Sequence, residues 1–252
     1  MIILREPFTS PAGRVITRAE ALNARLGHEN LGSLSAARGF VPVQAPHLSL
    51  PSSHRAWDDV AAQLPHLYRD VAVRPVLQRM PVLAADGRSL PDAALHRAAT
   101  VLGILGHAYV HVSPSDRVEL PPSVAAPWGE VRRRLGRARE PVLAYTDLIV
   151  NNWRVAGAGD PPLRVGNLRL LVPAVDNQEE RVFYLSQLEI LARCAPIVPA
   201  VATAHEAVLN DDAPALGLAL EDISEVLRTV SRGSLTLIDP RSRSATHVDP
   251  VV

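Results

Sequence analysis

One stretch limits the fold more than any other. After Pro91-Asp92, apolar side chains recur at Ala94, Leu95, Ala98, Val101, Leu102, Leu105, Ala108 and Tyr109, at intervals of three and four residues. That spacing lines one side of an α-helix and predicts a core helix ending near Val112, before Ser113-Pro114. The same periodicity predicts helices over about 56–67, 124–135, 146–153, 180–195 and 213–230, with Gly233 as a stop. Only 168–172 and 235–238 read as short strands. Strand and helix do not alternate at a fixed period, and internal repeats and Gly/Ser linkers are absent. This pattern argues against a doubly wound sheet and a solenoid, and the expected class is mainly α.

Texture divides the chain. Residues 1–90 alternate prolines with short apolar runs, as in Gly39-Phe40-Val41-Pro42 and Pro46-His47-Leu48-Ser49-Leu50-Pro51, where each proline pushes its predecessor out of helical geometry. This region reads as irregular around the single helix at Trp57, whose first turn carries Asp58 and Asp59. The boundary falls near Val118, after the charged loop Ser113-Pro114-Ser115-Asp116-Arg117, giving domains 1–118 and 119–252. With 47% apolar residues, a 252-residue chain can fill a substantial core. Its 26 basic and 26 acidic side chains cancel, which argues against nucleic acid or an anionic membrane as partner and favours a small or neutral one. Cys194 is the sole cysteine, so an internal disulfide, a thiolate zinc cage and an iron–sulfur cluster are all excluded within one chain. The N-terminus lacks a long apolar run, and no stretch is expected to approach the ~20 residues that span a bilayer. A cytoplasmic location is expected.

Common catalytic signatures are missing: there is no G-x-G-x-x-G after a strand, no G-x-x-x-x-G-K-[ST], no H-E-x-x-H and no G-x-S-x-G. His107 and His111 stand four apart on one helix face and could share an ion, but no carboxylate accompanies them, and histidines at a helix end are the plainer reading. Arg132, Arg133, Arg134, Arg137 and Arg139 could bind an anion; a wet helix face, stems over apolar surface, is the reading expected to win.

The informative stretch runs Leu120-Pro121-Pro122, then Ala125-Ala126-Pro127-Trp128 and a helix ending Leu135-Gly136, followed by Pro141-Val142-Leu143-Ala144-Tyr145 and Asn152-Trp153. Read physically, prolines set the entries and Val131 and Leu135 pack inward. The ordered set also resembles the indoleamine 2,3-dioxygenase family, whose pattern is L-P, A-x-P-W, L-G, P-V-L-x-Y and N-W. Gly39-Phe40-Val41-Pro42, the Trp57 helix to Leu64-Pro65, and His107-Ala108-Tyr109-Val110 resemble that family's small N-terminal domain, while Arg181-Val182-Phe183-Tyr184-Leu185-Ser186 resembles the start of the helix over its haem.

The resemblance implies a small irregular and helical domain, followed by the first helices of a larger all-helical domain holding haem b. It implies insertion of both atoms of dioxygen across the indole C2–C3 bond of L-tryptophan or a related indole, giving a formylkynurenine-type product. Tyr145 then stands near the aromatic substrate, Phe183 in the aromatic pair against the indole, and Ser186 above the iron. Val182 departs from the pattern, because phenylalanine is usual there, and the smaller side chain implies a wider pocket. On residue type alone, Ser186 is a helix serine bonding back to a carbonyl, and Tyr145 and Phe183 are core aromatics.

The family takes its axial histidine from a helix downstream of anything here, so the resemblance places that ligand outside this chain and makes the chain look truncated, with a C-terminal half missing. Of the nine histidines, only His205 lies on a helix of the haem-holding region, and Glu206 beside it argues for a solvent-facing residue. If later helices are missing, the faces bearing Leu185, Leu188, Ile190 and Leu191, and Leu218, Ile223 and Val226, should lack cover. The alternatives to a tryptophan dioxygenase are a non-catalytic or split-chain module binding an indole-like ligand or a partner chain, and a relative carrying out a different indole oxidation.

Overall fold

A computed structural model describes residues 9–26, 34–42, 44–113, 119–137, 143–157 and 163–238. Packing separates the chain into two units, Ala45–Leu185, and Met1–Gln44 together with Ser186–Val252. The described residues hold eight α-helices and one two-stranded sheet, a mainly α fold.

The unit Ala45–Leu185 is built on the long periodic stretch. It forms α4 (Leu95–His111) after a 3-10 turn at Asp92–Ala94, and 13 of its 17 residues are buried. Around it pack α2 (Arg55–Arg69), α3 (Val73–Arg79) and α5 (Pro122–Arg134). Trp57, Leu64, Leu77, Leu102, Leu105 and Trp128 share this core, so helices on both sides of residue 118 build one interior. Trp128 of the A-x-P-W pattern and Leu143 of the P-V-L-x-Y pattern explain one glycine each. A Cβ on Gly106 would lie 2.9 Å from Trp128 Cζ3, and one on Gly103 would lie 2.7 Å from Leu143 Cδ1. Small residues at these positions let the α5 indole approach α4 at van der Waals distance.

Polar contacts fix the helix ends. Arg74 caps α4, its guanidinium donating to the carbonyls of Tyr109, Val110 and Ser113 at 3.0, 3.3 and 2.9 Å. Asp58 serves more than the helix dipole, because its carboxylate takes Arg97 at 2.8 Å and the Leu50 N–H at 2.5 Å. A short sheet pairs β1 (Trp153–Val155) antiparallel to β2 (Leu168–Leu170), Trp153 opposite Leu170.

The other unit contains α1 (Pro11–Leu26), α7 (Ile197–Leu209), α8 (Ala213–Arg232) and the second half of α6 (Gln178–Arg193). Ser10 starts α1, its hydroxyl accepting the Gly13 N–H at 3.1 Å with Pro11 at the first helical position. Glu206 of α7 accepts the N–H groups of Thr9 and Ser10 at 2.6 and 3.1 Å, so this carboxylate is a structural acceptor. In the Gly39-Phe40-Val41-Pro42 segment, Gly39 has φ +60° and a Cβ there would meet Ala195 Cα at 2.9 Å; only glycine meets both demands.

Several expectations are corrected. The first 90 residues are less irregular than their prolines suggest, because α1 and α3 form there: Pro11 sits at a helix start, and Pro75 in the first turn of α3, where no N–H is lost. The helix expected over 146–153 is a five-residue π-turn, Thr146–Val150, that passes into β1. The strand expected at 235–238 is a 3-10 turn, Ser234–Leu237. Finally, Gln178–Leu209 does contain a window long and apolar enough for a membrane span, but a turn at 194–196 breaks it into α6 and α7. A soluble core helix passes the same test of length and composition.

Candidate functional site

Two segments carry the candidate residues. The first is the turn 143–153. Tyr145 opens it with helical backbone and is 50% exposed, and partial burial pushes its phenol pKa up. The Asn151 N–H donates five residues back to the Thr146 carbonyl at 2.9 Å, the hydrogen bond of a π-turn. Asp147 lies beneath, wholly buried, with one carboxylate oxygen 2.5 Å from Arg137 Nη1 and 3.3 Å from the Ala144 N–H. Thr100 of α4 donates its hydroxyl to the Asp147 carbonyl at 3.1 Å. Trp153 closes the segment, buried, with its indole N–H donating to the Val150 carbonyl at 2.8 Å.

Arg137 reaches Asp147 because of how α5 ends. Gly136 has φ +66°, its N–H bonds the Arg133 carbonyl at 3.0 Å, and the Arg137 N–H bonds the Arg132 carbonyl at 3.0 Å. This is a Schellman stop, and it gives the Leu135-Gly136 pair of the family pattern a physical role. The arginine cluster is thereby corrected. Arg132 is buried, Arg134 spans the Ala85 carbonyl and Asp92, and Arg137 holds Asp147; Arg133, paired with Glu130, fits the wet-face reading. Arg139 lies outside the described residues.

The second segment is α6. Asn177 caps it, its side-chain oxygen accepting the Glu180 N–H at 2.8 Å, and the Glu180 carboxylate accepts the N–H groups of Ala174, Val175 and Asp176. From that start the helical repeat places Val182 and Ser186 on one face, and both are buried, at 1% and 0% exposure. Phe183 is a hundred degrees around the helix and 47% exposed, its ring edge-on to Tyr184 at 5.6 Å. Tyr145 and Phe183 thus offer open aromatic surface, while Val182 and Ser186 are covered. The sequence places Arg137 only in an arginine cluster and gives Asp147 no role; an aspartate two residues after the tyrosine and an arginine just past the helix-stopping glycine are the signals of their pairing.

Among the described residues no group of three or more His, Cys, Asp or Glu stands together as a metal site. His107 and His111 are exposed neighbours with ring centroids 5.6 Å apart. His205, the histidine of α7, is half-buried. These side chains do not by themselves fit an iron site.

The family model for indoleamine 2,3-dioxygenase matches residues 33–242. Indoleamine 2,3-dioxygenase 1 of Mus musculus is 30% identical over 203 residues, covering 77% of this chain and 48% of that protein. Indoleamine 2,3-dioxygenase 2 of Mus musculus is 26% identical over 218 residues, 86% of this chain and 51% of that protein. A 6-hydroxytryptophan 2,3-dioxygenase of Fusarium equiseti is 30% identical over 168 residues, 66% of this chain and 40% of that protein. The chain spans about half the length, 48% and 51%, of the first two relatives. With the family pattern matched across most of its length and its signature residues placed in the core and at the helix stop, the chain belongs to the indoleamine 2,3-dioxygenase family.

Proposed function

We propose that this chain supplies the indole-facing wall of a haem-dependent dioxygenase acting on L-tryptophan or a related indole. Membership of the family carries this reading. The open aromatic surfaces of Tyr145 and Phe183 support it, since aromatic rings hold an indole by offset or edge contact worth about 0.5–1.5 kcal/mol beyond burial. Haem b is the cofactor of this reading, with an axial ligand from outside the described residues. The small N-terminal domain 1–118 and the haem-pocket domain 119–252 remain its division by sequence. The proposed reaction consumes one dioxygen and one indole and places both oxygen atoms in a formylkynurenine-type product, so no other reductant is needed. In this assignment Val182 borders the pocket from the covered face of α6 and Phe183 and Tyr145 contact the ring, while Ser186 keeps the place beside the haem that the resemblance implies. A sole, half-buried cysteine accords with a reducing cytoplasm. The comparisons give no support to a non-catalytic module.

This chain alone is expected to be inactive, so the test supplies haem, a reductant to prime it, L-tryptophan and isotope-labelled dioxygen to this chain joined to the residues that carry the axial ligand. The expected result is a ring-opened product carrying both labelled atoms, depressed strongly by Phe183→Ala. Oxygen consumption without label in an indole-derived product would overturn the reading.

A further inference from the structure

A fully buried carboxylate under a π-turn calls for explanation, because such a group rarely adds stability. Asp147 is at 0% exposure and its partner Arg137 at 16%, and taking two charges out of water offsets most of their attraction. Burial pushes the Asp147 carboxyl up, against the opposing pull of the Arg137 guanidinium, the Ala144 N–H and the more distant Arg132. An apolar pair of similar volume would serve packing as well. What the ion pair does provide is geometry, since its two ends are ten residues apart in sequence and meet at one point.

The surrounding bonds all converge on the same turn. Arg137 is aimed by the Schellman stop at Gly136. Asp147 is gripped at its carboxylate by Arg137 and Ala144, and at its carbonyl by Thr100 of α4. Asn151 closes the turn from the other side, its side-chain amide donating to the Thr146 carbonyl at 2.9 Å. Tyr145, the residue that opens the turn, is the only one of positions 145–152 with half its surface open. π-turns are uncommon and collect at functional sites, where an extra residue re-aims a side chain.

We infer that Asp147 and Arg137 form a buried latch that holds the 145–151 turn in its π conformation and so positions Tyr145 toward an indole ring. Asp147 is a positioning residue, acting through Tyr145 and touching no substrate. The indole half of this inference rests on the function proposed above; the latch itself does not.

The test uses the full chain with Asp147→Asn, which keeps shape and removes charge, and Arg137→Lys, which keeps charge and loses the guanidinium. Hydrogen exchange read by mass spectrometry over 143–151 and over α4 separates local from general loosening, and nitration of Tyr145 reports its exposure. Asp147→Asn is expected to speed exchange about tenfold in the turn with α4 unchanged, to raise Tyr145 nitration, and to weaken L-tryptophan binding about tenfold. Arg137→Lys should fall between this variant and wild type. Exchange that rises equally in α4, or that stays at the wild-type rate in the turn, overturns the latch. If Asp147→Asn does not fold, Arg137→Lys carries the same readouts. If wild type binds no L-tryptophan while Asp147→Asn loosens only the turn, the latch stands and the indole reading falls.

Discussion

Two helices of similar design meet opposite fates. In the unit Ala45–Leu185, α4 buries 13 of its 17 residues against α2, α3 and α5. In the other unit, α8 buries only Ala219 and Val230 of its 20, and Leu218, Leu220 and Leu227 stand 65%, 51% and 50% exposed. Both have apolar residues at helical spacing, so amphipathicity states a demand for cover without saying whether it is met. Nor does the bare surface extend over every face expected to carry it. Leu185 and Leu188 of α6 are buried at 1% and 0%, and Ile190 and Leu191 are half-covered, so the expectation of a bare face fails for α6 and holds for Leu218 of α8.

The largest test of this contrast is a pair of truncations. Leu102→Ala, at 0% exposure, should cost about 2–5 kcal/mol in urea unfolding, because a cavity adds to the lost transfer energy. Leu218→Ala should stay within about 0.5 kcal/mol, as exposed positions do. Equal losses would break the comparison, and would mean that α8 is covered in solution.

Two glycines sharpen it with opposite signs. Gly106→Ala forces a methyl to 2.9 Å from Trp128 Cζ3, in a packed α4–α5 crossing, and should destabilise by about 1–3 kcal/mol. Gly217→Ala on α8 meets no atom within 4 Å and should stabilise by about 0.5–1 kcal/mol through helix propensity alone. Thermal melts of the two variants, moving in opposite directions, check both. A loss for Gly217→Ala would point to a partner face on α8.

The smallest effect is expected at the wet edge of α4. Partial desolvation of the His107 ring, which keeps an exposed edge, and then the charge of His111 lower its pKa. Its neutral form is favoured in the fold, so its small contribution is present above the ordinary histidine value of about 6.5 and is lost as pH falls through the depressed folded value. An NMR titration should place the His107 midpoint below that ordinary value. His111→Ala should move the midpoint only part of the way back, because burial is the larger cause.

The candidate site was legible in part. The residue pattern located Tyr145 and the α6 segment, and the helical repeat puts Val182 and Ser186 on one face with Phe183 on another. It could not say which face is open, because Val182, Phe183, Leu185, Leu188 and Ile190 spread apolar character around the helix. Asp147 went unnoticed for a related reason. A lone aspartate in an apolar run reads as a surface residue until its partner Arg137 is brought to 2.5 Å by a glycine with positive φ.

By itself the sequence determined the mainly α class and the positions of α2, α4, α5, α6 and α8, whose observed ends lie close to those the periodicity predicts. These depend on backbone hydrogen bonds four residues apart and on a stripe written in consecutive turns. Tertiary structure alone decided that 146–150 winds as a π-turn, that 235–237 coils instead of extending, that four of the clustered arginines divide between burial and water, and that α8 stays bare where α6 is covered. Each of those outcomes depends on atoms supplied by residues distant in sequence, Thr100 for the turn or Asp92 for Arg134, and burial is a property of such neighbours rather than of local spacing.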